Sequence, residues 1–420
     1  MRHGALAALL LLIALAIAQA DLRLLGAREL TPMLSVTIAM LDGPASVSAA
    51  YPPGVAWVLT GLRAGGLWPV DPWRFNQTLL GLGVLSFFTL SSLLLRSAPL
   101  AFLAVLFGLL NPYFVWTLLL SRDSAPEFLL LTLLVCVTVY GLRSPRAPWT
   151  PALLALALAT ALGFTRVTGF FTGAAVLAVP LFTAGPGRRG PWAAALVGLT
   201  LGAVGLCALN HTRAGAFTLT TTSGFNLYLG HHPAYLDGHP RHDIDVFLSR
   251  AAETEGFGTL PEAERDQAFR RRAFDFMRDD PLALLHRTLV KSIWHWFNFE
   301  KIPSSSGAAW LDPADGTVHI GRGGSLTSLA YLLYKIIYIP LFVLALAGLA
   351  RRRVPCEFRL LLAPLAGLWP LAVLAFPDTR FKIAAEVLLC PLLLAALRQA
   401  LSDRPSADAT AQVTAAASGS

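Results

Sequence analysis

The chain is short of charge. Only 14% of its 420 residues are Asp, Glu, Lys or Arg, against about a quarter in soluble domains. So few charges leave too little polar surface to cover a fold in water, which excludes an ordinary soluble enzyme. Lysine is scarcer still. Lys291, Lys301, Lys335 and Lys382 are all there are, so arginine carries the net charge of +8. The arginines mostly sit in short loops between apolar blocks, a pattern of topology signalling rather than of nucleic-acid contact, and no nucleic acid is expected as a partner. There are four cysteines. Cys136, Cys207 and Cys390 fall in apolar blocks and Cys356 in a basic loop, so the large polar segment has none and no structural disulfide is expected there. The chain also lacks a phosphate-binding loop of the GxxxxGK type and a nucleophile elbow.

What is present is hydrophobicity, at 55% of residues, in blocks near the roughly 20 residues that a helix needs to cross the hydrocarbon core. In lipid each backbone amide needs an internal partner, so the blocks are read as helices. The expected fold is mainly α: a polytopic transmembrane helical bundle with a small extracytoplasmic α or α/β domain. About ten spans are read at 4–20, 75–95, 99–119, 126–142, 150–165, 167–184, 192–210, 326–350, 358–376 and 382–400. Residues 1–20 also fit a cleavable signal ending at Ala18-Gln19-Ala20; an uncleaved first span is preferred. Arg96, Arg143, Arg146, Arg188, Arg189, Arg351–Arg353, Arg359, Arg398 and Arg404 occupy one set of loops. The positive-inside rule puts that set, with both termini, in the cytoplasm.

The organisation expected is an N-terminal membrane region, 1–210, with an external loop at 21–74; an external segment, 211–325; a C-terminal membrane region, 326–400; and a disordered tail, 401–420. The apolar run Val55–Leu67 is read as lying along the interface. In the external segment Phe217–Thr222 reads as a strand, Gly224–His242 as a Gly- and His-rich loop, and Pro261–Arg278 as a helix. Asp280-Pro281 opens an amphipathic helix through Trp296. Lys335 is left to snorkel towards the surface.

Polar clusters gather at the outer ends of the spans. Asp42 in Leu41-Asp42-Gly43-Pro44 is the only acid between Glu29 and Asp71; it suits a general base, although an Asp before Gly is on composition alone more commonly a turn former. Ser121-Arg122-Asp123-Ser124-Ala125-Pro126-Glu127 has the composition of a helix N-terminus. Arg166 and the run Asp378-Thr379-Arg380-Phe381-Lys382 put cations against the positive-inside rule, which favours a role such as holding a phosphate. His231, His232, His239 and His242 lack the spacing of a metal site. No cofactor is called for, and a divalent metal stays open.

Two motifs carry a resemblance: Tyr51-Pro52-Pro53, and Ser223-Gly224-Phe225-Asn226-Leu227-Tyr228-Leu229-Gly230-His231-His232-Pro233. With the order of spans and loops, the chain resembles the GT-C glycosyltransferases, in the bacterial branch related to protein mannosyltransferases and the aminoarabinose transferase of lipid A. Asp280-Pro281 leading to Lys291, and Arg380-Phe381-Lys382, are weaker matches. The resemblance implies a bacterial inner-membrane enzyme that moves a sugar from a polyprenyl-phosphate donor to a lipid, polysaccharide or protein acceptor on the outer face. It maps the catalytic acid to Asp42. Gly43 stands where many members have a second acid, which weakens a metal-dependent reading. Arg166, Arg380 and Lys382 are then candidates for the donor phosphate, and Tyr51, Asp123, Glu127, Asn226 and Tyr228 for acceptor or supporting roles. Other classes fit the same composition: a transporter or lipid flippase for envelope glycan precursors, or a membrane scaffold whose external segment binds a partner.

Overall fold

The computed structural model describes residues 2–25, 53–66, 72–112, 114, 117–118, 123–144, 148–233, 251–297, 309–311, 318–320, 324–352, 354–375 and 379–402. The architecture is helical. The helices are α1 (Arg2–Leu25), α2 (Gly54–Ala64), α3 (Pro72–Leu95), α4 (Ala98–Leu109), α5 (Ser124–Arg143), α6 (Trp149–Thr165), α7 (Thr168–Thr183) and α8 (Arg189–Ala214). They continue with α9 (Ser223–His231), α10 (Glu262–Asp279), α11 (Pro281–Phe297), α12 (Gly324–Ala350), α13 (Arg359–Leu374), α14 (Thr379–Val387) and α15 (Cys390–Ser402). The strands described are β1 (Ala309–Leu311) and β2 (Val318–Ile320), an antiparallel pair with Trp310 opposite His319.

Each apolar block read as a span contains a helix, but the helix in the block read at 99–119 ends at Leu109, where Leu110–Pro112 turn away from helical geometry. Five helices among the described residues are long and apolar enough to cross a membrane: Arg74–Leu95, Ser124–Arg143, Pro186–Ala214, Leu333–Ala350 and Lys382–Ser402. Shorter apolar helices accompany them at His3–Ala16, Ala98–Leu109, Trp149–Thr165, Thr168–Thr183 and Arg359–Leu374. One core runs through the bundle, from Leu10 and Phe87 through Phe128, Leu162 and Val176 to Phe342, Leu361 and Leu393. The outside is apolar too, with Leu201 and Phe182 exposed, a surface suited to lipid and not to water. A second, smaller cluster joins α9 and α10 through Phe225, Tyr228, Leu229, Phe269 and Ala273.

Arginines in the basic loops bind helix ends. Arg188 donates to the carbonyls of Gly141, Leu142 and Ser144 at the end of α5, and Arg189 to Ala184 at the end of α7. Arg143 donates to Leu93 O near the end of α3 and pairs with Glu357 at 3.0 Å. A helix C-terminus offers unpaired carbonyls and the negative end of its dipole, so cations there are stabilising.

Several expectations fail locally. Phe217–Thr222 is not a strand: Thr218 and Thr220 hydroxyls bond the neighbouring backbone, the local alternative that Thr offers to a ladder. The loop expected from Gly224 begins instead as α9. The last span is broken. α14 stops at Val387 and α15 restarts at Cys390, because Pro391 has no N–H for the carbonyl four residues before it. Lys335 does not snorkel. It is 4% exposed, turned inward, and paired with Glu386.

Candidate functional site

Polar side chains collect in three places. The first is the turn between α6 and α7. Thr165 ends α6 and Arg166 follows in extended backbone, so its side chain folds over the start of α5. There Nη1 donates to the Glu127 carboxylate at 2.5 Å, Nε lies 3.6 Å from Asp123, and Ser124 Oγ is 3.5 Å away. Arg166 is 8% exposed and Glu127 2%. An arginine between two carboxylates has its charge balanced in place, which a buried ion needs. The start of α2 lies against this turn. Gly54 opens α2 so close that a Cβ on it would lie 2.6 Å from Phe164 O. Trp57, one turn on, meets the Phe164 ring at 5.4 Å. Glycine at position 54 is thus what lets the start of α2 approach the turn that carries Arg166.

The second place is where α9 meets the end of α13. The Asp266 carboxylate accepts from the N–H groups of Gly224 and Phe225, at 2.6 and 3.4 Å, and pairs with Arg270 at 2.9 Å. An acid from α10 therefore caps the N-terminus of α9. Burial pushes the Asp266 carboxyl above its ordinary range, opposed by those N–H bonds and Arg270. At the other end of α9, Gly230 abuts Ala375 O. His231 bonds Leu374 O at 3.0 Å, and Lys291 donates to Val373 O and Ala375 O at 3.1 and 2.6 Å. Burial, with Lys291 and Arg287 nearby, lowers the His231 imidazole to about 3. It is neutral, and since a carbonyl only accepts, Nε2 carries the proton. These side chains finish the open carbonyls at the end of α13.

The third place lies within the bundle. Glu386, just before the break in the last span, faces Lys335 of α12 and Asn111, whose Nδ2 is 3.5 Å from it. Lys335 Nζ also lies 4.5 Å from the Tyr338 ring centroid, a cation–π contact. One turn before Glu386, Lys382 is 1% exposed and its Nζ is 3.4 Å from His295 O of α11.

Among the candidates, Arg166, Asp123 and Glu127 come together. Tyr228 is 2% exposed, its hydroxyl 3.1 Å from Glu255 and its ring 5.0 Å from Phe269, so it packs the second, smaller cluster. Asn226 is half-buried in the first turn of α9, its N–H bonded to Thr222 O at 3.0 Å. Arg380 is placed in α14 by its backbone. Asp42, Tyr51 and Arg122, the Arg380 side chain, and His239 and His242 lie outside the described residues. Among the described residues no group of three or more His, Cys, Asp or Glu could hold a metal ion. The buried pair Lys335–Glu386 and the row Arg287, Lys291 and His295 were missed as sites. Spacing of four residues along α11 is the one signal that marks the row in advance. Comparison with protein-family models, with curated proteins and with solved structures finds no match.

Proposed function

We propose that the chain is an inverting glycosyltransferase of the membrane. It takes a sugar from a polyprenyl-phosphate donor and gives it to an acceptor hydroxyl on a lipid, a polysaccharide or a protein. In this reading the ten apolar segments cross the bacterial inner membrane with both termini in the cytoplasm, and residues 21–74 and 211–325 face outside. The acceptor oxygen attacks the anomeric carbon as the bond to the phosphate oxygen breaks. Asp42 takes the hydroxyl proton. The phosphate leaves as an anion on its lipid, needing cations and no strong acid, and Arg380 and Lys382 supply them, while Arg166 holds Asp123 and Glu127 in place. One displacement inverts the anomeric configuration.

The observation that supports this reading is the close approach of Gly54, at the start of α2, to Phe164 O beside the Arg166 turn. Gly54 follows Asp42 by twelve residues in the sequence, and the turn it approaches carries Arg166 with Asp123 and Glu127. The test is mass spectrometry of envelope glycans, glycoproteins and lipid-linked sugars from cells with and without the gene. The expected result is one missing glycan modification with its polyprenyl-phosphate sugar accumulated, restored by the intact chain and not by Asp42→Asn. Restoration by Asp42→Asn would remove Asp42 as the base; unchanged glycans would remove the reading.

A transporter or flippase for envelope glycan precursors is the second reading. The observation in its favour is the broken helix α14–α15 with the buried pair Lys335–Glu386 beside the break, since interrupted helices and buried ionisable residues mark transport pathways. Movement of a lipid-linked sugar across proteoliposomes, without a covalent product, would favour it.

A further inference from the structure

Helix α11 is inside out by the standards of a helix in water. Arg287, Lys291 and His295, four residues apart on one face, are 4%, 0% and 2% exposed. On the opposite face Leu282, Leu285, Leu289 and Ile293 are 79%, 57%, 56% and 51% exposed. A helix at the rim of a soluble domain buries the apolar stripe and exposes the charges. The reverse pattern is stable only where the surroundings are apolar.

The contacts of α11 say how far such surroundings extend. It runs antiparallel to α13. Lys291 reaches Val373 O and Ala375 O at the end of that helix, while His295, one turn on, bonds Leu365 O at 2.8 Å. Leu365 is eight residues before Val373, or about 12 Å along the axis at 1.5 Å per residue. At the same level the Trp296 ring stacks on Phe342, inside the apolar part of α12, with centroids 6.4 Å apart. The end of α11 thus sits well inside the ends of two apolar helices. Its start is different: Arg278, Asp279 and Asp280 precede it, and exposed His286 interrupts the outward face only near that end. The stripe is also continuous with exposed Trp369 of α13, whose indole N–H donates to Ser292 Oγ at 3.2 Å, the amphipathic residue favoured at a membrane boundary.

We propose that α11 is a re-entrant membrane helix. It enters the bilayer at Asp280-Pro281, lays Leu285, Leu289 and Ile293 against lipid acyl chains, and turns its basic row into the bundle, where carbonyls receive it. This does not depend on the reaction the chain performs.

The test is nitroxide labelling of the full chain in phospholipid bilayers, in a variant with Cys136, Cys207, Cys356 and Cys390 replaced by Ala. Leu285→Cys, Leu289→Cys and Ile293→Cys are compared with Gln267→Cys on the exposed side of α10 and Leu201→Cys on exposed α8. The expected ratio of oxygen to nickel-chelate accessibility rises from 285 to 293 and exceeds that of Gln267→Cys several-fold, reaching that of Leu201→Cys. A ratio equal to that of Gln267→Cys overturns the proposal, because water then covers the stripe. Shielding from both reagents also overturns it, because a protein then does. Benzoyl-phenylalanine at 289 and 293 in the chain with its cysteines intact is the second measurement. Phospholipid adducts after illumination support insertion, and their absence at both positions refutes it.

Discussion

Replacing Gly230 by alanine should detach α9 from the end of α13. The added Cβ would lie 1.7 Å from Ala375 O and 2.8 Å from Lys291 Nζ. Ordinary contact begins near 3.4 Å, so the two backbones must separate by about 1.7 Å, a shift that no rotamer change relieves because the obstacle is a carbonyl. One hydrogen bond spans the same gap, His231 to Leu374, and the added methyl also crowds the Lys291 ammonium of α11, which donates to Val373 O and Ala375 O. Bonds to charged donors contribute about 1.5–3 kcal/mol each. Even partial loss of the set puts the cost at about 3–5 kcal/mol. Gly205→Ala in α8 is the matched control, since nothing lies within 4 Å of its Cβ position and alanine is the better helix former by up to about 1 kcal/mol. Thermal unfolding in detergent, followed by circular dichroism, compares the two. Equal midpoints for Gly230→Ala and Gly205→Ala would refute the reasoning, because the glycine would then have no role in that approach.

Glu386→Gln should destabilise the chain by about 3–5 kcal/mol by leaving the Lys335 ammonium buried without its anion, and adding Lys335→Met should recover much of that; additive single effects in the same melts would mean the two residues are not coupled. Asp266→Ala should cost about 1–2 kcal/mol as the α9 cap is lost, with faster hydrogen exchange at Gly224 and Phe225; unchanged exchange there would show that the cap is not needed. His231 has a folded-state pKa of about 3 against an ordinary 6.5. A depressed pKa gives stability that is complete above about 6.5 and is lost as pH falls towards 3, because only the unfolded chain takes up the proton, at up to about 1.4 kcal/mol per pH unit. Unfolding at pH 7 and 5 should therefore differ by about 2 kcal/mol from this group, and His231→Gln should narrow the gap; an equal gap in both chains would remove His231 as its source.

The membrane helices were legible because hydropathy is a long-range average: a block of twenty apolar residues reads as a helix whatever its neighbours do. Single-residue interruptions average away. Pro391 sits in a run as apolar as the rest of its segment, so the break before it disappears in a twenty-residue window. Pairings across the bundle were illegible for another reason. Arg166 and Glu127 are 39 residues apart; topology put both at outer ends, but only packing decides that they touch. Lys335 was misread because an isolated lysine near a span end looks free to snorkel until its partner, 51 residues away, is brought beside it. The amphipathic stripe of α11 was visible, yet hydrophobic periodicity gives two faces and not which one points in, and that sign depends on the solvent. The Gly-Phe-Asn-Leu-Tyr-Leu-Gly stretch drew notice as a pattern. Its mechanical meaning, two glycines at the two ends of a short helix, each giving way to a backbone oxygen, needed coordinates.

The arginines and lysine that grip carbonyls have a consequence for how this chain carries its excess positive charge. At α3, α5, α7, α9 and α13 a cationic side chain is bound to the C-terminal carbonyls of a helix. At α5, α7, α9 and α13 the partner that receives the cation is the main chain, which no codon change can remove, while at α3 Arg143 also pairs with Glu357. Arg287 and Lys291 are also buried, so added salt competes poorly for their carbonyl partners and these two joints should hold across ionic strengths that dissolve surface ion pairs. The arrangement is also polar in the geometric sense: each cation marks the terminus of the helix it holds, and the direction of the chain through the bundle is written in its charges.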